Sequence, residues 1–131
     1  MITEDFVSFN VAKLLKEKGF NVPVWTRYED DEDKDVIFGD KYNWNNSPMG
    51  QTSAPTLQMV MKWLREVHKL AFIISPQWAE GDMRNPCRWY WEIRGLEDIG
   101  LDVYSNPLCN TYEEAVEAAC LYSLKNLIKK E

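Results

Sequence analysis

Two segments of alternating side chains, Asn21–Tyr28 and Val36–Trp44, flank one short acidic run, and this arrangement restricts the fold more than any other feature of the chain. Val22, Val24, Thr26 and Tyr28 share one face of the first segment. Val36, Phe38, Tyr42 and Trp44 share a face of the second. Strands joined so directly form a hairpin and pair antiparallel, because a parallel pair needs a crossover of a dozen or more residues. Pro23 delays the first strand or places it at an edge, since proline has no N–H for the ladder.

The rest of the chain follows the same order. Ser8 caps a helix over Phe9–Lys18, with Val11, Leu14, Leu15 and Lys18 on one face and Gly19 at its end. Asn45–Thr52 is rich in loop residues. Thr52 or Ser53 then caps a second helix, with Pro55 in its first turn and Leu57, Val60, Met61, Leu64, Val67 and His68 in one stripe. Leu70–Ile74 reads as a strand buried on both faces and ending at Ser75-Pro76. Gln77–Pro86 is a loop, Arg88–Arg94 a strand of strong β formers, and Leu101–Ser105 a short partner strand. Thr111-Tyr-Glu-Glu114 is a capping box that opens a last helix reaching about Lys130, with Val116, Ala119, Cys120, Leu124 and Leu127 inward. The order α-β-β-α-β-β-β-α predicts a single α+β domain over 1–131: a mostly antiparallel sheet of about five strands with three helices packed on one face.

Charge narrows the function classes. The net charge is −6, and Glu29–Asp35 alone holds six acids and one lysine, so the remainder is nearly neutral. A duplex-binding protein needs a basic face to displace counterions, and none is visible, so nucleic acid is disfavoured as a partner. No apolar run approaches the ~18 residues of a membrane helix, and the first residues lack the basic start and apolar stretch of a signal peptide; both point to a cytoplasmic protein with no membrane partner. With three cysteines, no CxxC and a single histidine, free thiols are expected and a metal site is not.

Three stretches resemble known proteins. Ser53–Lys69, reading Ser-Ala-Pro-Thr-Leu-Gln-Met-Val-Met-Lys-Trp-Leu-Arg-Glu-Val-His-Lys, resembles a segment of an uncharacterised family of small proteins from gut Bacteroidetes and their phages or prophages. Thr111–Ala118 is similar to the start of that family's last helix, and Ala12–Phe20 to its opening. The resemblance implies a phage or mobile-element context and brings no catalytic residues with it.

Motifs for chemistry are sparse. Asp31, Asp33 and Asp35 match the first acids of an EF-hand loop and suggest weak cation binding, but the pattern then has Val36 for glycine and Tyr42 for the closing glutamate. No GxxxxGK[ST], GxGxxG or GxSxG motif occurs. His68 with a carboxylate offers a hydrolase or transferase site, and Glu92 with Asp98 or Asp102 supplies carboxylate pairs; this is the rival to a binding role, beside a small-ligand protein. The richest signal is aromatic: six tryptophans and six tyrosines exceed what a small core absorbs. Trp25, Tyr42, Trp44, Trp89, Tyr90 and Trp91 form the expected partner or ligand face, with Trp25 foremost because it alternates away from Val24 and Thr26. Tyr90 and Arg94 oppose Trp89 and Trp91, so one set must point away from the helices. The expected function is therefore non-enzymatic and without a cofactor: a module that binds a protein partner or another copy of itself.

Overall fold

The computed structural model describes residues 4–29, 35–77, 88–104 and 108–128. Its elements are α1 (Phe9–Glu17), β1 (Val24–Tyr28), β2 (Ile37–Tyr42), β3 (Thr52–Ser53), α2 (Leu57–Val67), β4 (Leu70–Gln77), β5 (Arg88–Gly95), β6 (Asp102–Tyr104) and α3 (Tyr112–Tyr122). The fold is α+β, as expected, but the strands form two three-stranded antiparallel sheets, ordered β2-β1-β3 and β4-β5-β6, and not one sheet of about five. The difference arises at Thr52 and Ser53. Both read as helix caps, yet they pair with Tyr28 and Arg27 and so occupy the edge of β1 left free by β2. The cap of α2 is instead Thr56, whose hydroxyl accepts the Met59 N–H.

The described residues divide into two compact units. The first holds those up to Met59 together with those from Leu124 onward. Within it, Ser8 caps α1 by accepting the Val11 N–H, and Gly19 ends it at φ +90°, where a side chain would be strained. Val24, Thr26 and Tyr28 are buried and Trp25 is not, so the alternation read from β1 holds; Pro23 does delay its start. Phe9 packs edge-on against Tyr28 with ring centroids 5.4 Å apart. Residues before α1 run beside the segment that leads into α2: the Val7 N–H donates to the Pro55 carbonyl (3.0 Å), the Leu57 N–H donates to that of Asp5 (2.9 Å), and the Tyr28 hydroxyl donates to that of Val7.

The second unit runs from Val60 to Ser123. β4 and β5 form an eight-residue ladder from Leu70↔Gly95 to Gln77↔Arg88. That register puts Leu70, Phe72 and Ile74 on the same face as Trp91 and Ile93, and α3 lies across β4 and β5. β4 is only half-buried, with Ile73 exposed on the other face, so it is not the strand covered on both sides that its apolar run suggested. In α2, Trp63 is buried in place of Val67, which is exposed. Thr111 caps α3 through the Glu114 N–H, and the Glu114 carboxylate accepts from the Asn110 N–H, so the capping box closes one residue early. The last helix is α only to Tyr122; Ser123–Leu127 continues as a wider π turn. No helix among the described residues is long and apolar enough to cross a membrane.

Candidate functional site

β2 is exposed along all six of its residues and forms one edge of its sheet. The register explains part of this. Val24 pairs with Tyr42 and Thr26 with Phe38, so β2 spends four steps where β1 spends two, and the strand bulges between Phe38 and Tyr42. Phe38, read as sharing a face with Val36, Tyr42 and Trp44, is 68% exposed, and Trp25 is 59% exposed.

These two residues border a cleft of about 380 Å³. Its walls come from distant parts of the chain: Glu4 and Phe6 from the segment before α1, Val24, Trp25 and Thr26 from β1, Phe38 and Gly39 from β2, and Thr56 and Met59 at the start of α2. The Phe6 and Phe38 rings meet at 90° with centroids 5.6 Å apart. The backbone bonds between Asp5–Val7 and Pro55–Leu57 hold Phe6 beside Thr56. The two hydroxyls of the lining are engaged, since Thr26 donates to the Ala54 carbonyl and Thr56 accepts from Met59. Among the described residues, Glu4 is the one charged residue of the lining.

Other expected aromatics serve packing. The Trp44 indole N–H donates to the Val24 carbonyl (3.0 Å), its ring meets Tyr42 at 5.1 Å, and the Arg27 guanidinium lies 4.4 Å over it. Arg27 in turn binds Glu29, and Gln51 donates to the other Glu29 oxygen; these bonds, that from Gln51 first, hold the Glu29 carboxyl below the usual range. Trp44 is thereby half-buried, whereas Tyr42 remains exposed. Trp89 packs on Tyr112 and Trp91 on Tyr122, so both belong to the face that α3 covers, and Trp91 is buried. This corrects their assignment to an open face. Tyr90 and Arg94 do point the other way, and Tyr90 is half-buried there among polar neighbours. Of the acidic loop, Asp31 and Asp33 lie outside the described residues, as do Trp78 and Cys87, and Asp35 is exposed. No three His, Cys, Asp or Glu side chains among the described residues are grouped to hold a metal.

Of the carboxylates of the rival reading, Glu92 and Asp102 gather on Arg94, whereas Asp98 accepts from the Gly100 N–H. Glu92 accepts from the Tyr90 hydroxyl (2.9 Å) and from Arg94, while Asp102 lies 3.9 Å from Arg94 and accepts from the Tyr104 hydroxyl. The Arg94 bond holds the Glu92 carboxyl low. Burial, then the bond to Glu92, pushes Tyr90 up to about 12, and Asp102 raises Tyr104. A general acid or base works best with a pKa near the working pH, and these shifts run away from it. His68 sits edge-on to Trp63, with centroids 4.6 Å apart. Burial raises the thiols of Cys109 and Cys120, and a raised thiol is a poor nucleophile.

The cleft was only partly legible. Trp25 was foreseen from alternation; Glu4, Phe6, Thr56 and Met59 were not, because contact across some fifty residues leaves no local spacing. Met59 carried one signal, as an apolar residue off the stripe of α2. Comparison with protein families, with characterised proteins and with solved structures finds no match to this chain.

Proposed function

We propose that this chain is a non-enzymatic binding module that docks a protein partner on the β1–β2 hairpin, in the mobile-element setting implied by the sequence resemblance. The observation that carries this reading is the exposure of Trp25 and Phe38 at the rim of the apolar cleft. Large exposed rings set around a concave site are the anchors that dominate interface energies. Tyr42 and Ile37 extend the same exposed hairpin. A second reading, pairing with another copy of the chain, is supported by the uncovered edge of β2, which presents backbone donors and acceptors to a further strand.

The test is capture by the tagged chain from its source cells, with nuclease present, alongside a Trp25→Ala/Phe38→Ser variant with unchanged thermal unfolding. Loss of a stoichiometric partner in the variant supports docking on the hairpin; its retention places the contact elsewhere and defeats the proposal. Light scattering across a concentration series separates the second reading, which expects a dimer that dissociates on substitution of Phe38 by lysine.

A further inference from the structure

The chemistry of the cleft goes further than its being apolar. It offers three aromatic rings, Phe6, Trp25 and Phe38, the thioether of Met59, and one charge, the carboxylate of Glu4. Among the described residues, no basic side chain lines it. Of the charged residues next to its walls in the chain, Asp5 and Asp40 add acid and are exposed, while Arg27 adds a base whose guanidinium is paired with Glu29 and lies over the Trp44 ring. A neutral guest would leave this charge unused; an anionic guest would meet it as repulsion.

Ring geometry points the same way. Phe6 and Phe38 stand at 90°, and the corner of such a T is bounded by one face of each ring. The negative face of an aromatic ring attracts a cation within about 6 Å. The attraction grows when the cation sheds water readily, and an alkylated ammonium does so more easily than a bare one. The Thr26 hydroxyl spends its proton on the Ala54 carbonyl and the Thr56 oxygen already accepts from Met59, so each has one hydrogen-bonding role taken and less to offer a neutral guest. A volume of about 380 Å³ lies at the small end for ligand sites, which suits a single side chain with its stem and not an extended peptide.

We propose that the cleft receives an alkylated ammonium group on an apolar stem, of the kind a methylated lysine side chain presents, held by the faces of Phe6, Trp25 and Phe38 and by the charge of Glu4. The proposal rests on the reading of the hairpin as a docking surface, and names what the partner inserts there.

The probe is acetyl-trimethyllysine amide, compared with the isostere in which a tert-butyl group replaces the trimethylammonium. Binding is followed by NMR through the Trp25 indole N–H, assigned with a Trp25→Phe variant. The expected result is a saturable shift with the cation about fivefold tighter than the neutral isostere, since a cation over rings is worth on the order of 1 kcal/mol. Glu4→Gln, an exposed change that leaves folding intact, should weaken the cation severalfold and leave the isostere unchanged. Equal or tighter binding of the isostere would overturn the proposal, as would no shift with either compound up to its solubility limit. These outcomes stand apart from the capture experiment. If the isostere binds equally well and the Trp25→Ala/Phe38→Ser variant still loses its partner, docking survives and the cation assignment falls. If the cation binds selectively and the partner is retained, the cleft assignment survives and docking on the hairpin falls.

Discussion

Glu92 shows how a single residue on a sheet surface can be fixed by its neighbours. Its side chain lies between Tyr90 and Arg94 on its own strand, and Tyr104 faces it across β6. Arg94 favours the ionised form, so the folded-state pKa lies below the unfolded one. A depressed carboxylate contributes stability that is present above its unfolded pKa and lost as pH falls through the folded one. Wild-type protein should therefore lose more stability between about pH 6 and pH 2 than Glu92→Gln, in urea titrations of both. Parallel curves would show that the Arg94 pairing adds nothing. Lys69 is the residue-scale exception to local rules: a non-glycine at φ 58°, at the join of α2 and β4, with its carbonyl accepting from Leu96. A left-handed residue with a side chain costs about 1–2 kcal/mol, partly offset in glycine by the freedom of its unfolded chain, so Lys69→Gly should raise stability by up to about 1 kcal/mol.

The elements differ in how far local chemistry explains them. α3 is locally determined: the Thr111 hydroxyl and the Glu114 carboxylate satisfy N–H groups at its start, with Glu113 and Glu114 in the first turn, where the dipole favours negative charge. Thr111→Ala should cost about 1 kcal/mol by chemical denaturation, because it orphans the Glu114 N–H. β3 is the opposite case. Two residues with no strand pattern of their own become a strand because β1 offers an open edge and Asn45 accepts from the Ser53 N–H. β2 has the pattern, bulges between Phe38 and Tyr42, and is open because it is the edge strand of its sheet.

On the scale of the whole molecule, the buried core stands apart from the proposed docking surface. Leu64, Ile93 and Val116 have no exposed surface, and Trp25 has most of its surface in solvent. Leu64→Ala should cost about 3 kcal/mol, the usual toll of truncating a buried leucine, while leaving partner capture intact under conditions where the variant is folded. Trp25→Ala should change stability by less than about 0.5 kcal/mol, as exposed positions do, and remove capture. The reverse pattern would mean that the hairpin aromatics are structural.

What the sequence determined by itself was whatever rests on neighbours in the chain. Ser8 and Thr111 cap helices through N–H groups three residues on, Gly19 ends a helix by its own backbone freedom, and the alternation of β1 and β5 sorts Trp25 from Thr26 and Tyr90 from Trp91. Tertiary structure alone decided which of two opposed faces a helix would cover, and so which aromatics were spent on packing: α3 took Trp89 and Trp91. It also decided the split into two sheets and the cleft itself. Both depend on pairings such as Phe6 with Thr56 and Ser53 with Arg27, which must offset the entropic cost of closing long loops and do so only through many shared contacts. No single residue along the chain carries that information, so it becomes visible only when the loops are closed.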